Sequence, residues 1–126
     1  MNVPADLFYS SDHEWIRQDG DVVTIGITEY AQDSLGDVVF VEVPEQGTAV
    51  VSGDSFTEVE STKSVSDIYA PMSGTISSVN DALEDQPELL NSDPYGEGWI
   101  CAIRYSDAGQ LDNLMDADAY RALTEG

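Results

Sequence analysis

Lys63 is the only lysine among 126 residues, and it stands in the middle of a short polar stretch, Glu60-Ser61-Thr62-Lys63-Ser64. Apolar runs rich in Val, Ile and Phe flank that stretch, a pattern that reads as a β-hairpin with the lysine at its tip. A tip amine is within reach of a modifying enzyme, so the chemistry suggested is covalent attachment of a group through an amide. Acylation of such an amine needs an enzyme. The plain alternative is a hairpin lysine that serves solubility. His13 is the only histidine; followed by Glu14 and Trp15, it reads as a packed or orienting ring rather than a catalyst. Cys101, the only cysteine, lies in the apolar run Trp99-Ile100-Cys101-Ala102-Ile103 and is expected to be a small core residue. One cysteine excludes a disulfide framework and a four-cysteine metal site. No metal-ligand cluster, nucleophile elbow or phosphate-binding glycine loop is present, so no catalytic and no metal-binding residue is assigned.

Charge narrows the partners. Twenty-five acidic residues face four bases, Arg17, Lys63, Arg104 and Arg121, for a net charge of −21. Such a surface repels nucleic acid and anionic membranes, because binding phosphate requires cations to displace counterions. Disorder, the usual alternative for acidic chains, needs few apolar residues, whereas 41% of this chain is hydrophobic. The better reading is a folded protein adapted to a salt-rich cytoplasm, where the Debye length shrinks to about 3 Å at 1 M, and a halophilic source is expected. No stretch approaches the ~20 apolar residues of a membrane span, and no basic-then-apolar leader opens the chain. The expectation is a soluble, cytoplasmic, monomeric protein.

The elements that must position Lys63 are mostly strands. Asp21–Ile27 follows an Asp19-Gly20 turn, and Val38–Val43 stops at Pro44. Shorter runs follow at Thr48–Val51, Ser55–Val59, Val65–Tyr69 and Gly74–Val79, with Trp99–Tyr105 as the last strand. Short strands separated by Gly, Pro, Ser and Asp turns indicate a sandwich or barrel. Helices are few. Thr28 is the expected N-cap of a short helix that Gly36 closes. Asn80 is expected to cap a turn through Leu83, and Leu89-Leu90 marks another short helix. Leu111, Leu114, Met115, Tyr120 and Leu123 suggest a C-terminal helical segment packed on the sheet. No linker or low-complexity tract divides the chain, so residues 1–126 are read as one domain. A weak internal echo pairs Val51-Ser52-Gly53-Asp54 with Ala70-Pro71-Met72-Ser73-Gly74 as turns feeding short strands.

The run Val59-Glu60-Ser61-Thr62-Lys63-Ser64-Val65-Ser66-Asp67-Ile68-Tyr69-Ala70-Pro71-Met72-Ser73-Gly74 closely resembles the lipoylation site of the glycine cleavage system H-protein family. Ser11-Asp12-His13-Glu14-Trp15 resembles that family's N-terminal signature. Gly26-Ile27-Thr28, Ala31-Gln32-Asp33 and Leu35–Pro44 follow its second block, and Asn80–Glu84, Pro87–Asn91 and Pro94–Trp99 its third. The resemblance implies a mainly β lipoyl-type barrel-sandwich hybrid with a few short helices, and lipoic acid covalently attached to Lys63. It further implies a non-catalytic carrier. Such a carrier accepts the aminomethyl group of glycine at a pyridoxal-phosphate glycine decarboxylase and delivers it to an aminomethyltransferase that uses tetrahydrofolate. Dihydrolipoamide dehydrogenase then reoxidises it, and a lipoate-attaching enzyme installs the arm.

A loaded arm is prone to hydrolysis, and docking it in a cleft away from bulk water protects it. Its protonated amine wants an anionic partner; Glu14 is the first candidate and Asp67 the second, the plain alternative for Glu14 being a surface carboxylate. Ser34 lies on the short helix beside the expected cleft, where some relatives carry histidine, so no proton-handling role carries over to it. Two further departures are Thr62, where the family usually has an aliphatic residue, and Asp12, where a small polar residue is common. A biotin carrier is the nearest rival in fold, but biotin sites commonly place methionine on both sides of the lysine, and here Thr62 and Ser64 flank it. From another class, a lipoyl relay or interaction module shares the same sequence features and separates only by test with the decarboxylase.

Overall fold

Runs of β-branched and aromatic residues between tight turns build nine strands among residues 3–125, which the computed structural model describes. They are β1 (Phe8–Tyr9), β2 (Glu14–Asp19), β3 (Val22–Ile27), β4 (Val38–Val41), β5 (Ala49–Val50), β6 (Ser55–Ser61), β7 (Val65–Tyr69), β8 (Gly74–Val79) and β9 (Cys101–Tyr105). Two antiparallel sheets result, one ordered β1-β2-β3-β9-β8-β5 and the other β4-β6-β7. Their inner faces share one core, in which Ile16, Val23, Ile25, Ile76 and Ile103 meet Val41, Val59 and Ile68. This is the mainly β, barrel-sandwich architecture expected.

The helices are α1 (Glu29–Leu35), α2 (Ala82–Asp85), α3 (Leu89–Ser92) and α4 (Ala117–Glu125). α1 begins and ends as its sequence indicates: the Thr28 side chain accepts from Ala31 N–H, and Gly36 N–H donates to the Gln32 carbonyl. The two turns of the internal echo meet in space, with Gly53 N–H bonded to the Ala70 carbonyl at 2.8 Å and Ala70 N–H to that of Asp54 at 2.9 Å.

Two local expectations need refinement, and β2 is a strand that the sequence reading did not include. β2 carries no alternating pattern, because Glu14, Trp15 and Ile16 are all buried and Arg17, Gln18 and Asp19 all exposed, so its period-2 signal vanishes. The C-terminal segment is not one helix. A 3-10 turn (Ala108–Asn113) gives way to an extended stretch in which Met115 exchanges two backbone hydrogen bonds with Tyr9 at 2.8 Å, and only then does α4 start. α4 packs through Ala117 and Tyr120 against Val3, Leu7, Tyr9 and Trp15, while Leu123 stays exposed. The turn from Asn80 through Leu83 forms, with Leu83 N–H donating to the Asn80 carbonyl at 3.2 Å, but the Asn80 side chain does not cap it; Nδ2 instead donates to the carbonyls of Glu97 and Trp99, at 2.7 and 2.8 Å, fixing the loop that feeds β9. Cys101 is fully buried, and burial pushes its thiol up to about 12, which makes it inert as read.

Candidate functional site

β6 and β7 pair through Glu60↔Val65, leaving Thr62, Lys63 and Ser64 exposed at the tip of their hairpin. Ser61 shapes that tip. Its Oγ accepts from Lys63 N–H at 3.2 Å and Ser64 N–H at 3.1 Å, and donates to the Ser64 carbonyl at 3.2 Å. Thr62 N–H donates to the Asp37 carbonyl at 3.0 Å, which ties the tip to the end of α1. Gly36 has φ 81°, and a Cβ there would meet Lys63 Cε at 2.9 Å. The positive φ favours glycine for closing the helix, whereas the exposed lysine stem that crosses the closure could shift aside from a Cβ there. Asn91 holds this corner from behind: Oδ1 accepts from Val38 N–H, and Nδ2 donates to Gly36 O and Gln32 Oε1, all within 3.0 Å.

Between α1 and β7 lies a cleft of about 250 Å³. α1 lines it with Tyr30, Ala31, Ser34 and Leu35, one face of a helical turn, and the hairpin lines it with Ser64, Val65, Ser66, Asp67 and Ile68. Ile27, Asp12 and His13 complete it. The lining mixes apolar walls with carboxylates and hydroxyls, which suits a mostly apolar chain that ends in a polar cargo. Two of the proposed docking residues, Asp67 and Ser34, are thus brought together, and Lys63 sits next to lining residues on both sides, Ser64 in sequence and Leu35 through Gly36.

His13 takes a left-handed backbone (φ 66°), packs at a tilt against Tyr30 with centroids 4.5 Å apart, and places Nδ1 2.9 Å from the Tyr120 hydroxyl. Burial lowers its pKa against the opposing pull of Asp12. The Tyr120 hydroxyl also lies 2.6 Å from Thr28 Oγ1, the cap of α1. His13 is accordingly an oriented, packed ring. Glu14 is only 2% exposed and is not a surface carboxylate. It is not among the lining residues, but it adjoins two of them, following His13 in sequence and accepting at Oε2 from Tyr69 N–H, just after Ile68, at 2.7 Å. Oε1 accepts from Ser10 Oγ at 3.2 Å. Burial pushes this carboxyl up to about 8 even though the Tyr69 N–H favours its anion, leaving it mainly protonated at neutral pH.

The family profile described as glycine cleavage H-protein matches residues 7–126. The chain belongs to the glycine cleavage H-protein family. A probable glycine cleavage system H protein from Haloarcula marismortui is 54% identical over 121 residues, covering 96% of this chain and 95% of that one. A glycine cleavage system H protein from Mycobacterium avium is 55% identical over 130 residues, covering 98% of each chain. The crystal structure of a glycine cleavage system H protein from Mycobacterium marinum superposes with a TM-score of 0.90 at 43% identity, over 98% of this chain and 100% of that one. An H-protein is a lipoyl carrier of the glycine cleavage system, a component of a multienzyme assembly rather than an enzyme. No helix among the described residues is long and apolar enough to cross a membrane.

Two residues that link the elements around the cleft carry no such signal in the sequence. Tyr120 enters there only as an apolar helix position, yet it joins α4 to His13 and to the cap of α1. Asn91 belongs to a resembling block but carries no assigned role, because its three partners come from α1, its closing glycine and β4, far away in sequence.

Proposed function

We propose that Lys63 bears the lipoyl group and that residues 1–126 act as one cytoplasmic, monomeric carrier domain serving the glycine decarboxylase, the aminomethyltransferase and dihydrolipoamide dehydrogenase in turn, after a lipoate-attaching enzyme has installed the arm. The observation that carries this reading is the placement of the sole lysine on a Ser61-braced hairpin tip, with its stem over Gly36 at the mouth of the α1–β7 cleft. The fit is chemical: an exposed amine for the amide, and beside it a cleft with apolar walls and carboxylates for a cationic end. Lys63 would hold the lipoyl group, which when bound would supply a disulfide able to accept the carbon unit left when glycine loses its carboxylate.

The chain's own residues position and shelter. Ser61 and Asp37 fix the tip, so the arm pivots from one point and its effective concentration at each partner stays high. Leu35, Val65 and Ile68 hold water away from the docked cargo. Asp67 and Ser34 face that cargo from the two walls, and Glu14 completes its anionic setting once ionised. Incubating the lipoylated protein with the decarboxylase and glycine labelled at its α-carbon should place label on the peptide that contains Lys63. Label that never reaches that peptide would reassign the chain to lipoyl relay or another partner system.

The charge of −21 supports a salt-rich setting. Among the described residues only two ion pairs form, Arg104–Asp21 and Arg121–Asp118, both at the surface. Most of the acidic surface therefore depends on solution ions for screening. Dialysis from molar to millimolar salt should lower the melting temperature and blunt its cooperativity; an unchanged transition by circular dichroism would contradict a halophilic setting.

A further inference from the structure

Among the described residues His13 is the one non-glycine with a left-handed backbone, and its side chain forms part of the cleft wall. Such a conformation persists where the surroundings over-determine it, and it gathers at functional sites. Two bonds hold the main chain here, His13 N–H to the Ser10 carbonyl and Thr28 N–H to the His13 carbonyl, both at 3.1 Å. The ring is held separately. Tyr30 packs on it from α1, and Tyr120 meets it edge-on from α4, with centroids 5.7 Å apart and the hydroxyl at Nδ1.

The Tyr120 hydroxyl is itself fixed. The residue is fully buried and stacks on Tyr9 with centroids 4.7 Å apart. Its oxygen lies 2.6 Å from Thr28 Oγ1, which accepts from Ala31 N–H at 3.2 Å. Burial pushes its pKa up to about 12, so it keeps its proton at neutral pH. A hydroxyl both donates and accepts, and the Thr28–Tyr120–His13 chain therefore closes with either imidazole tautomer. Without this bond the half-buried His13 ring has other rotamers open to it, and swinging outward would admit water beside Leu35 and Ile68. We infer that Tyr120 is a positioning residue for the docked arm: its hydroxyl, anchored on Thr28, locks the His13 ring in place as a wall of the cleft and so keeps water from the carried aminomethyl group. Helix α4, none of whose residues lines the cleft, thereby sets how long the cargo survives. The inference rests on the carrier reading above, and its test tells the two apart.

Full-length lipoylated protein is prepared unaltered and as Tyr120→Phe, His13→Asn, the two combined, and Tyr9→Phe. Tyr120→Phe keeps the ring and its stack and removes only the hydroxyl; asparagine accepts the left-handed backbone but brings no ring. Tyr9→Phe is the matched control, because it deletes a hydroxyl bonded to the Pro4 carbonyl in the same stack, away from the cleft. Each protein is loaded by the decarboxylase with glycine labelled at its α-carbon, freed of enzyme, and followed for loss of label. Tyr120→Phe should shorten the lifetime about fivefold, the rate equivalent of one neutral hydrogen bond. His13→Asn should shorten it at least as much, and Tyr9→Phe should leave it alone. The combined variant should decay no faster than His13→Asn, since the hydroxyl acts through the ring. His13 is the sole histidine, so the nitrogen NMR shift of its Nδ1 reads the bond directly; it should move in Tyr120→Phe and stay in Tyr9→Phe. His13→Asn, at a half-buried turn, decides the point if Tyr120→Phe does not fold. Unchanged lifetimes in Tyr120→Phe and His13→Asn, equal shortening by Tyr9→Phe, or effects that multiply in the combined variant would each overturn the inference alone. Unaltered protein that takes up no label would overturn the carrier reading, and this inference with it.

Discussion

Lys63→Arg should yield a folded protein that carries nothing. Arginine keeps the positive charge and a comparable stem at the tip, but its guanidinium stays protonated at pKa above about 12 and offers no amine to acylate. Glycine-dependent carbon dioxide release by the reconstituted system should fall to the level seen with the carrier omitted, because no second lysine exists. Stability should move by no more than about 0.5 kcal/mol, as is usual for an exposed position, since Ser61 and Asp37 brace the turn through the backbone. Turnover above the carrier-free background would contradict a single attachment site.

Glu14→Gln should leave attachment intact and shorten the life of the loaded arm. A charge-assisted hydrogen bond contributes about 1.5–3 kcal/mol. Ionising a carboxyl whose pKa is about 8 costs roughly 1.4 kcal/mol at pH 7. What remains corresponds to at most about a tenfold change in rate, so hydrolysis of the loaded arm should accelerate by up to about tenfold, and equal lifetimes would remove Glu14 from the docking site. The same carboxyl leaves a signature on stability. Its folded pKa of about 8 lies above the ordinary 4.5. Its contribution is therefore fully present below pH 4.5 and is lost as pH rises toward 8, at up to about 1.4 kcal/mol per unit. Glutamine does not titrate, so urea melts of the two proteins should diverge with pH, the variant becoming relatively more stable up to about pH 8. Parallel pH profiles would mean that Glu14 is ionised in the folded protein.

The hairpin and the first helix were legible because each is specified locally. Thr28 and Gly36 are separated by one short helix, and the β6 and β7 runs flank a polar tip whose turn is closed by Ser61 itself. What escaped is non-local. β2 is buried along three consecutive residues because both its faces are covered there, which erases alternation. The break before α4 arises from the pairing of Met115 with Tyr9, a contact across more than a hundred residues that no local propensity encodes. The candidate site divides in the same way. Lys63, Asp67 and Glu14 stand in motifs that the chain shows openly, whereas the burial of Glu14 and the link from Tyr120 to His13 exist only once the sheets have packed.

The most direct measurement is the mass of the protein made in its native host, followed by a tryptic map. Acylation of Lys63 abolishes cleavage there and leaves Gln18 to Arg104 as one peptide. The expected result is a lipoyl-sized increment on that peptide. A biotin-sized increment, or a Lys63 that is cleaved and unmodified throughout, would contradict the assignment of this chain's lysine as the lipoyl attachment site.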